Sequence, residues 1–432
     1  MPRLSALARL EEALSRIADP KGEGSRACLT IYEKSARAAA EAADARAASG
    51  TALGPLDGAI VTIKDLFDVA GEPTRAGSKL RVSAPAAMQD APAVRRLRAA
   101  GAVIVAKTNM SEFAFSGIGA NPHYGTPGNP ADRTRVPGGS SSGAAVSVAD
   151  GMCDIAIGTD TGGSTRIPAA LCGIVGFKPS AWRIPTEGAF PLSSTLDSVG
   201  PLAKTVAGCA AADAVMAGED VEPVKPARLS SVRIGIPQGL PLRDLDTTVS
   251  KQFASATKAL EKAGARLSDE AFEQLDAMVQ VNAIGGFSPA EAYALHREQI
   301  EARPGDFDPN VRARIERGKG ISAADYIFMR TERARIAREV DARFEDLDIL
   351  VLPTSPIIAP TIAEVAVPEI FNAKNMLLLR NTSIVNFFDL CAISIPLSRE
   401  DKLPAGLMLV ARNGKDKRLF RIAAAVEQLF RA

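Results

Sequence analysis

The segment Gly158-Thr159-Asp160-Thr161-Gly162-Gly163-Ser164-Thr165-Arg166-Ile167-Pro168 sets two glycines before a serine and a helix candidate after it. Such a turn can place a hydroxyl beside a row of backbone N–H groups, the arrangement that acyl transfer needs. A second serine cluster, Pro137-Gly138-Gly139-Ser140-Ser141-Ser142-Gly143, lies just upstream. Lys64 closes the apolar run Ala59-Ile60-Val61-Thr62-Ile63 and precedes Asp65. A lysine acts as a base only when neutral, so burial or a cationic neighbour must pull its pKa down from about 10.4. Read together, the three places suggest one serine-hydrolase site that works without a histidine.

A hydrolase normally pairs its serine with a base, and this chain has only two histidines. His123 falls in the turn-like Asn121-Pro122-His123-Tyr124-Gly125, and His296 on a helix candidate, Glu291 to Ile300. Either could join a triad, but nothing local to them supports it; a structural or surface role is the simpler reading. Gly139-Ser140-Ser141-Ser142-Gly143 matches G-x-S-x-G, yet a nucleophile elbow needs a buried strand before it. Pro130 to Pro137 is irregular and polar instead. Neither glycine-rich loop ends in the Gly-Lys-Ser/Thr of a P-loop, and no βαβ-placed G-x-G-x-x-G is present. Cys28, Cys153, Cys172, Cys209 and Cys391 are scattered without a C-x-x-C pair, so neither zinc nor a redox dithiol is suggested.

The elements that must position these residues alternate between strand and helix. Leu4 to Ile17 and Ala36 to Ala48 read as helices, Ala59 to Ile63 as a strand, Val94 to Ala100 as a helix and Ala102 to Ala106 as a buried strand. Gly117 to Gly143 reads as loop, Ala144 to Ala149 as the start of a helix and Asp154 to Ile157 as a short strand. Gly158 to Gly163 is the turn, Ser164 to Leu171 a helix with Pro168 in its first turns, and Gly173 to Phe177 a strand. Further on, Val232 to Ile236, Asp348 to Leu352 and Gly406 to Ala411 are strand candidates. Val249 to Ala263, Ala323 to Phe344 and Lys417 to Leu429 are helix candidates, with Ser322 and Asp325 as a capping pair. The pattern predicts a single α/β domain with a parallel or mixed sheet under helical cover. A catalytic core over about 54–216 and a helical, insertion-like segment over about 246–344 are expected within it.

Composition narrows the partners. The chain has 432 residues, 46% of them apolar, with 51 Lys and Arg against 50 Asp and Glu. This balance gives no electrostatic reason to expect nucleic acid or an anionic membrane as a partner. No apolar run approaches a membrane span, and the first residues lack the apolar stretch of a secretory signal. A cytoplasmic protein with buried free thiols is the expectation.

These segments resemble the amidase signature family, whose members use a Ser-Ser-Lys triad. Gly58 to Asp68 with Pro73 to Ser78 resembles the lysine segment, Pro137 to Gly143 the serine-glycine segment, and Gly158 to Pro168 the nucleophile segment. Gly173 to Pro179 and Leu196 to Pro201 extend the likeness, and weaker similarity covers nearly the whole chain. The resemblance implies a large α/β/α domain around a central mixed sheet, no cofactor, and homodimers in many members. It implies Ser164 as nucleophile, Ser140 as a bridging serine at a cis peptide bond and Lys64 as base. It further implies Thr161, Gly162 and Gly163 at the oxyanion, Ala114 at the substrate, and Ser141 and an Asp160–Arg166 pair as supports. Amide hydrolysis to acid and ammonia or amine through a Ser164 acyl-enzyme follows.

Three other readings stand beside it. One is the glutamine-hydrolysing component of a tRNA-dependent amidotransferase, its A subunit. The chain is short for that, and Arg312 to Gly318 followed by Ser322 to Tyr326 is more similar to free-standing amidases. The second is a urea- or allophanate-type hydrolase of the same family. The third is a catalytically silent binding module, against which all three triad positions carry the required residue types. For the acyl pocket the candidates are Phe113, Ala114, Phe115, Ile118 and the region Phe371 to Met376, any of which could equally be core. An aryl or aliphatic monoamide is the expected substrate; no arginine stands out as a partner for a carboxylated one.

Overall fold

The computed structural model of the chain describes residues 4–397 and 403–431. Their strands are β1 Cys28–Ile31, β2 Ile60–Lys64, β3 Val103–Thr108, β4 Ile155–Thr159, β5 Val175–Lys178, β6 Val199–Ala203, β7 Arg233–Pro237, β8 Arg266–Glu270, β9 Ile349–Pro353, β10 Cys391–Pro396 and β11 Gly406–Ala411. All join one sheet in the order β1-β3-β2-β4-β6-β5-β10-β11-β9-β7-β8. The strands β3, β2 and β4 are mutually parallel, as are β9, β7 and β8, while β6, β5, β10 and β11 join the two groups through antiparallel pairs. The sheet is therefore mixed, as the sequence predicts.

Helices cover both faces, and the strand sequences show why. Successive side chains of a strand point to opposite faces. Along β2, Ile60 packs with the helices Ala6–Ala18, Glu33–Ser49 and Ser142–Ala149, while Val61 and Ile63 join the core under Pro92–Ala99 and Val206–Ala217. Along β11, Leu407 and Leu409 join that same core. Met408 and Val410 pack oppositely, with the helices Glu273–Ala283, Ala323–Arg343 and Thr382–Phe387. Strands apolar on both faces need cover on both, which gives the three-layer α/β/α arrangement.

The structure adds what the pattern missed. The strand β6 reads Val-Gly-Pro-Leu-Ala, and glycine and proline argue against a strand interior. Gly200 is nevertheless required there, because a Cβ would sit 2.1 Å from the Phe177 carbonyl oxygen of the neighbouring strand. The central strand β10 and the polar β8 also lie outside the predicted set. Between residues 247 and 343 the chain is mostly helical, interrupted by β8. The five cysteines are buried and unpaired. No helix among the described residues is long and apolar enough to cross a membrane.

Two substitutions compare the core with the surface. Ile393 lies fully buried in β10, and Ile393→Ala is expected to cost about 2–5 kcal/mol. The capping box of Ser322 and Asp325 is exposed, and Ser322→Ala should cost about 1 kcal/mol. Urea denaturation of the two variants checks the order, and an equal loss would contradict it.

Candidate active site

The strands β2 and β4 run parallel and side by side, with Ile63 opposite Ile157. Their C-terminal ends therefore bring Lys64 next to Thr159. Lys64 is fully buried, and its Nζ donates to Ser140 Oγ at 2.7 Å and to Thr159 Oγ1 at 3.0 Å. Burial pushes its pKa down to about 7, against the opposing pull of Asp197 and Asp160.

Ser140 reaches the lysine from the loop rather than from a strand. The Gly139–Ser140 peptide bond is cis. The Ser140 carbonyl accepts from Ser111 N–H at 3.0 Å, and Gly139 N–H donates to the Gly117 carbonyl at 2.8 Å. These bonds fasten the serine cluster to the chain after β3. Gly139 has no room for a side chain, since a Cβ would lie 2.6 Å from the Gly119 nitrogen. Ser141 Oγ donates to the Thr159 carbonyl at 3.4 Å, and the helix Ser142–Ala149 starts directly after it. The residues directly before the cluster form no strand, so its G-x-S-x-G match forms no elbow.

The turn after β4 is organised by one carboxylate. Asp160 accepts from Gly163 N–H at 2.8 Å, from Thr165 N–H at 3.1 Å and from Thr165 Oγ1 at 2.9 Å. These bonds hold residues 160–165 as a turn, so the helix runs Arg166–Cys172 and begins later than the spacing predicts. Pro168 is its third residue, within the first turn, where its missing N–H costs nothing. Arg166 closes on the same carboxylate with Nη2 at 2.8 Å, both side chains being fully buried. It also donates to the Thr382 carbonyl at 2.9 Å and to Asn386 Oδ1 at 2.7 Å. Burial alone would raise the Asp160 pKa, but Arg166, Asn386 and Lys178 outweigh it and hold the carboxyl below its ordinary range.

Ser164 itself is nearly buried and lines a cavity of about 520 Å³ together with Thr161, Gly162, Ala114 and Phe115. The N–H groups of Thr161, Gly162 and Ser164 have no acceptor among the described residues. Gly163 differs from the expectation drawn for it, because its N–H is committed to Asp160. Its role is conformational. The φ of +136° suits only glycine, and a Cβ would lie 2.2 Å from Thr382 Oγ1. That hydroxyl donates to the Gly162 carbonyl at 2.6 Å, pinning the turn from the far side.

Several residues emerge only in three dimensions. Thr159 carries no sequence signal beyond its place at a strand end. Thr161 Oγ1 donates to Asp197, whose other oxygen accepts from Leu192 and Ser193 N–H at 2.9 and 3.0 Å. Burial raises the Asp197 pKa to about 6. Among the pocket candidates, Ala114, Phe115 and Met376 line the cavity. Phe113 instead stacks on His296 at 4.2 Å, and Ile118 and Phe371 belong to a core cluster. His123 pairs with Glu112 at 2.9 Å, and neither histidine lines the cavity. Among the described residues no three His, Cys, Asp or Glu side chains gather where they could hold a metal ion.

A family profile described as Amidase matches residues 9–420. The chain belongs to the amidase family. It is 36% identical over 400 residues to the 2-amino-5-chloromuconic acid deaminase of Comamonas testosteroni, covering 91% of this chain and 86% of that protein. It is 35% identical to the A subunit of the glutamyl-tRNA(Gln) amidotransferase of Chloroflexus aggregans, over 99% of this chain and 93% of that one. A crystal structure of an amidase superposes with a TM-score of 0.89 at 33% identity, covering 99% of this chain and 97% of the other. The amidase fold expected from the sequence is thus present, and this amidase is a hydrolase of carbon–nitrogen bonds.

The Asp160–Arg166 pair sets a test of the turn. Removing one partner of a buried pair leaves an uncompensated charge, so Arg166→Met should cost about 3–5 kcal/mol. The double variant Asp160→Asn with Arg166→Met should lose less than the two single losses added. Denaturant unfolding of the four proteins provides the cycle, and strict additivity would show that the pair does not act as a unit.

Proposed function

We propose that this amidase hydrolyses a linear carboxylic amide to its acid and ammonia or an amine through an acyl-enzyme on Ser164. The observation that carries the reading is the buried Lys64 beside Ser140, a lysine whose pKa falls to about 7 and whose hydrogen-bond partners are hydroxyls rather than a carboxylate. Such a lysine is neutral in a useful fraction of molecules near neutral pH and can take a proton. In this mechanism Lys64 accepts a proton from Ser140 as Ser140 takes one from Ser164. Ser164 Oγ attacks the amide carbon, and the carbonyl oxygen becomes an oxyanion. The N–H groups of Thr161, Gly162 and Ser164 are the candidate donors to it; one such donor is typically worth about 3–4 kcal/mol of barrier. The relayed proton passes to the leaving nitrogen, the C–N bond breaks, and water then releases the acid. Asp160, Arg166 and Ser141 support this turn and loop without touching the substrate.

A second reading has its own observation. The likeness to the glutamyl-tRNA(Gln) amidotransferase component runs over 99% of the chain, which makes glutamine a candidate amide donor and a second protein a candidate partner. Ammonia release from glutamine that depends on charged tRNA and on such a partner would favour it over a free-standing amidase.

Two experiments test the proposal. Mass spectrometry after treatment with a serine-directed phosphonate should find the label on Ser164; labelling of Ser141 or a cysteine would sink the assignment. The pH profile gives the second. Lys64 must be unprotonated to act, so kcat/KM should rise about tenfold per unit below about pH 7 and level off above it. Lys64→Ala should abolish most activity and remove that rise, and an unchanged profile would take lysine out of the mechanism.

A further inference from the structure

The cavity above Ser164 carries a charge that its neighbours do not neutralise. Its lining includes two charged residues, Arg314 and Arg317, and no aspartate or glutamate. Arg314 lies on the helix Pro309–Glu316, on the inward face shared with Val311 and Ile315. It is only 8% exposed. Its Nε is buried without a hydrogen-bond partner, and its guanidinium makes no ion pair with any described residue. What it touches is an aromatic ring, since the guanidinium carbon lies 4.7 Å from the Phe115 centroid. Burial and the nearby charge of Arg317 lower its pKa to about 10, which leaves it cationic at neutral pH.

A buried charge without a partner is costly, and proteins pair such groups or neutralise them. Arg166, the most deeply buried arginine among the described residues, is saturated by Asp160, Thr382 and Asn386. Arg314 differs in facing the cavity, where a ligand can supply what the fold withholds. We infer that Arg314 is the specificity-determining residue for a carboxylate carried by the substrate, so that the amide hydrolysed is a monoamide of a small dicarboxylic acid. A carboxylate fits the planar fork of a guanidinium with two parallel hydrogen bonds. Phe115 packs against the guanidinium, and Arg317, exposed and also lining the cavity, adds attraction for an incoming anion. The assignment deepens the amidase reading, on which the position of the amide over Ser164 rests. It also supplies the arginine that the sequence did not single out.

Matched substrates test it. Ammonia release is measured with succinamate, glutaramate and terephthalamate against butyramide, pentanamide and 4-methylbenzamide. The wild-type protein should prefer at least one carboxylated amide over its neutral counterpart. Arg314→Met should lower that preference, taken as a ratio of kcat/KM values, about 100-fold, and Arg314→Lys should restore part of it. Calorimetry with glutarate and terephthalate supplies a readout free of turnover. Ser164→Ala should bind at least one of these dicarboxylates, and Ser164→Ala combined with Arg314→Met should not. A preference for neutral amides, or dicarboxylate binding that is absent or unchanged by Arg314→Met, overturns the inference. Binding that depends on Arg314 in a protein that cleaves no amide would support the carboxylate site and overturn the hydrolase reading instead. The unliganded Arg314→Met protein should melt no lower than wild type, since removing an unpaired buried charge relieves a cost; a large loss would mark Arg314 as structural.

Discussion

Everything at this site depends on how the fold treats a lysine that it buries completely. An ammonium taken out of water loses its hydration, and the loss can be repaid by a carboxylate or avoided by shedding the proton. Lys64 is given hydroxyl partners, Ser140 and Thr159, while the nearest carboxylates act on it only at a distance. A carboxylate in direct contact would have pulled the pKa up and left a permanent cation. Hydroxyls bond to the amine in either protonation state, so the position stays defined while the charge varies. The parallel pairing of β2 and β4 makes this possible by setting the lysine and the threonine at adjacent strand ends.

Four of the buried cations form a series in which the type of partner differs. Arg166 is matched by the ionised Asp160 and fastens the turn to the segment Thr382–Phe387. Lys178 donates to the carbonyls of Pro179 and Leu390, and burial lowers its pKa to about 8. It lies on β5, away from the cavity lining, and joins the strand to the chain before β10. Lys64 has hydroxyls, and Arg314 has an aromatic face and an open cavity. Burial is common to all four. Partner type separates the two held by oxygen acceptors from the two proposed to exchange a proton or to meet a ligand.

The sequence made the candidate catalytic segments legible because they are local. Gly162-Gly163-Ser164, the serine cluster and Lys64 each sit in short patterns with a turn or strand signal of their own. The mixed α/β architecture was legible for the same reason, through apolar runs separated by glycine-rich turns. What stayed hidden was nonlocal. Gly163 has the look of an oxyanion donor until Asp160 claims its N–H, a bond no spacing announces. Phe113 and Phe115 are indistinguishable as letters, yet one stacks on His296 in the core and the other faces the cavity. The strand β6 was hidden by its own glycine and proline, which the close approach of β5 demands.

Arg314 shows a further limit of the same kind. In sequence it is one arginine among several in Arg312 to Arg317, and residue type alone points each of them to a solvated face. Only the packing of Val311 and Ile315 turns it inward, and only the missing carboxylate makes it informative. The residues proposed for the chemistry come from positions 64 to 164, whereas this wall of the cavity comes from the helical stretch after β8. A helix joined to the sheet by loops can change its inward side chain without disturbing the strand ends that hold Lys64 and Thr159. The division would let the proposed proton relay serve different acyl groups, with the identity of the acid set by a side chain that the relay does not need.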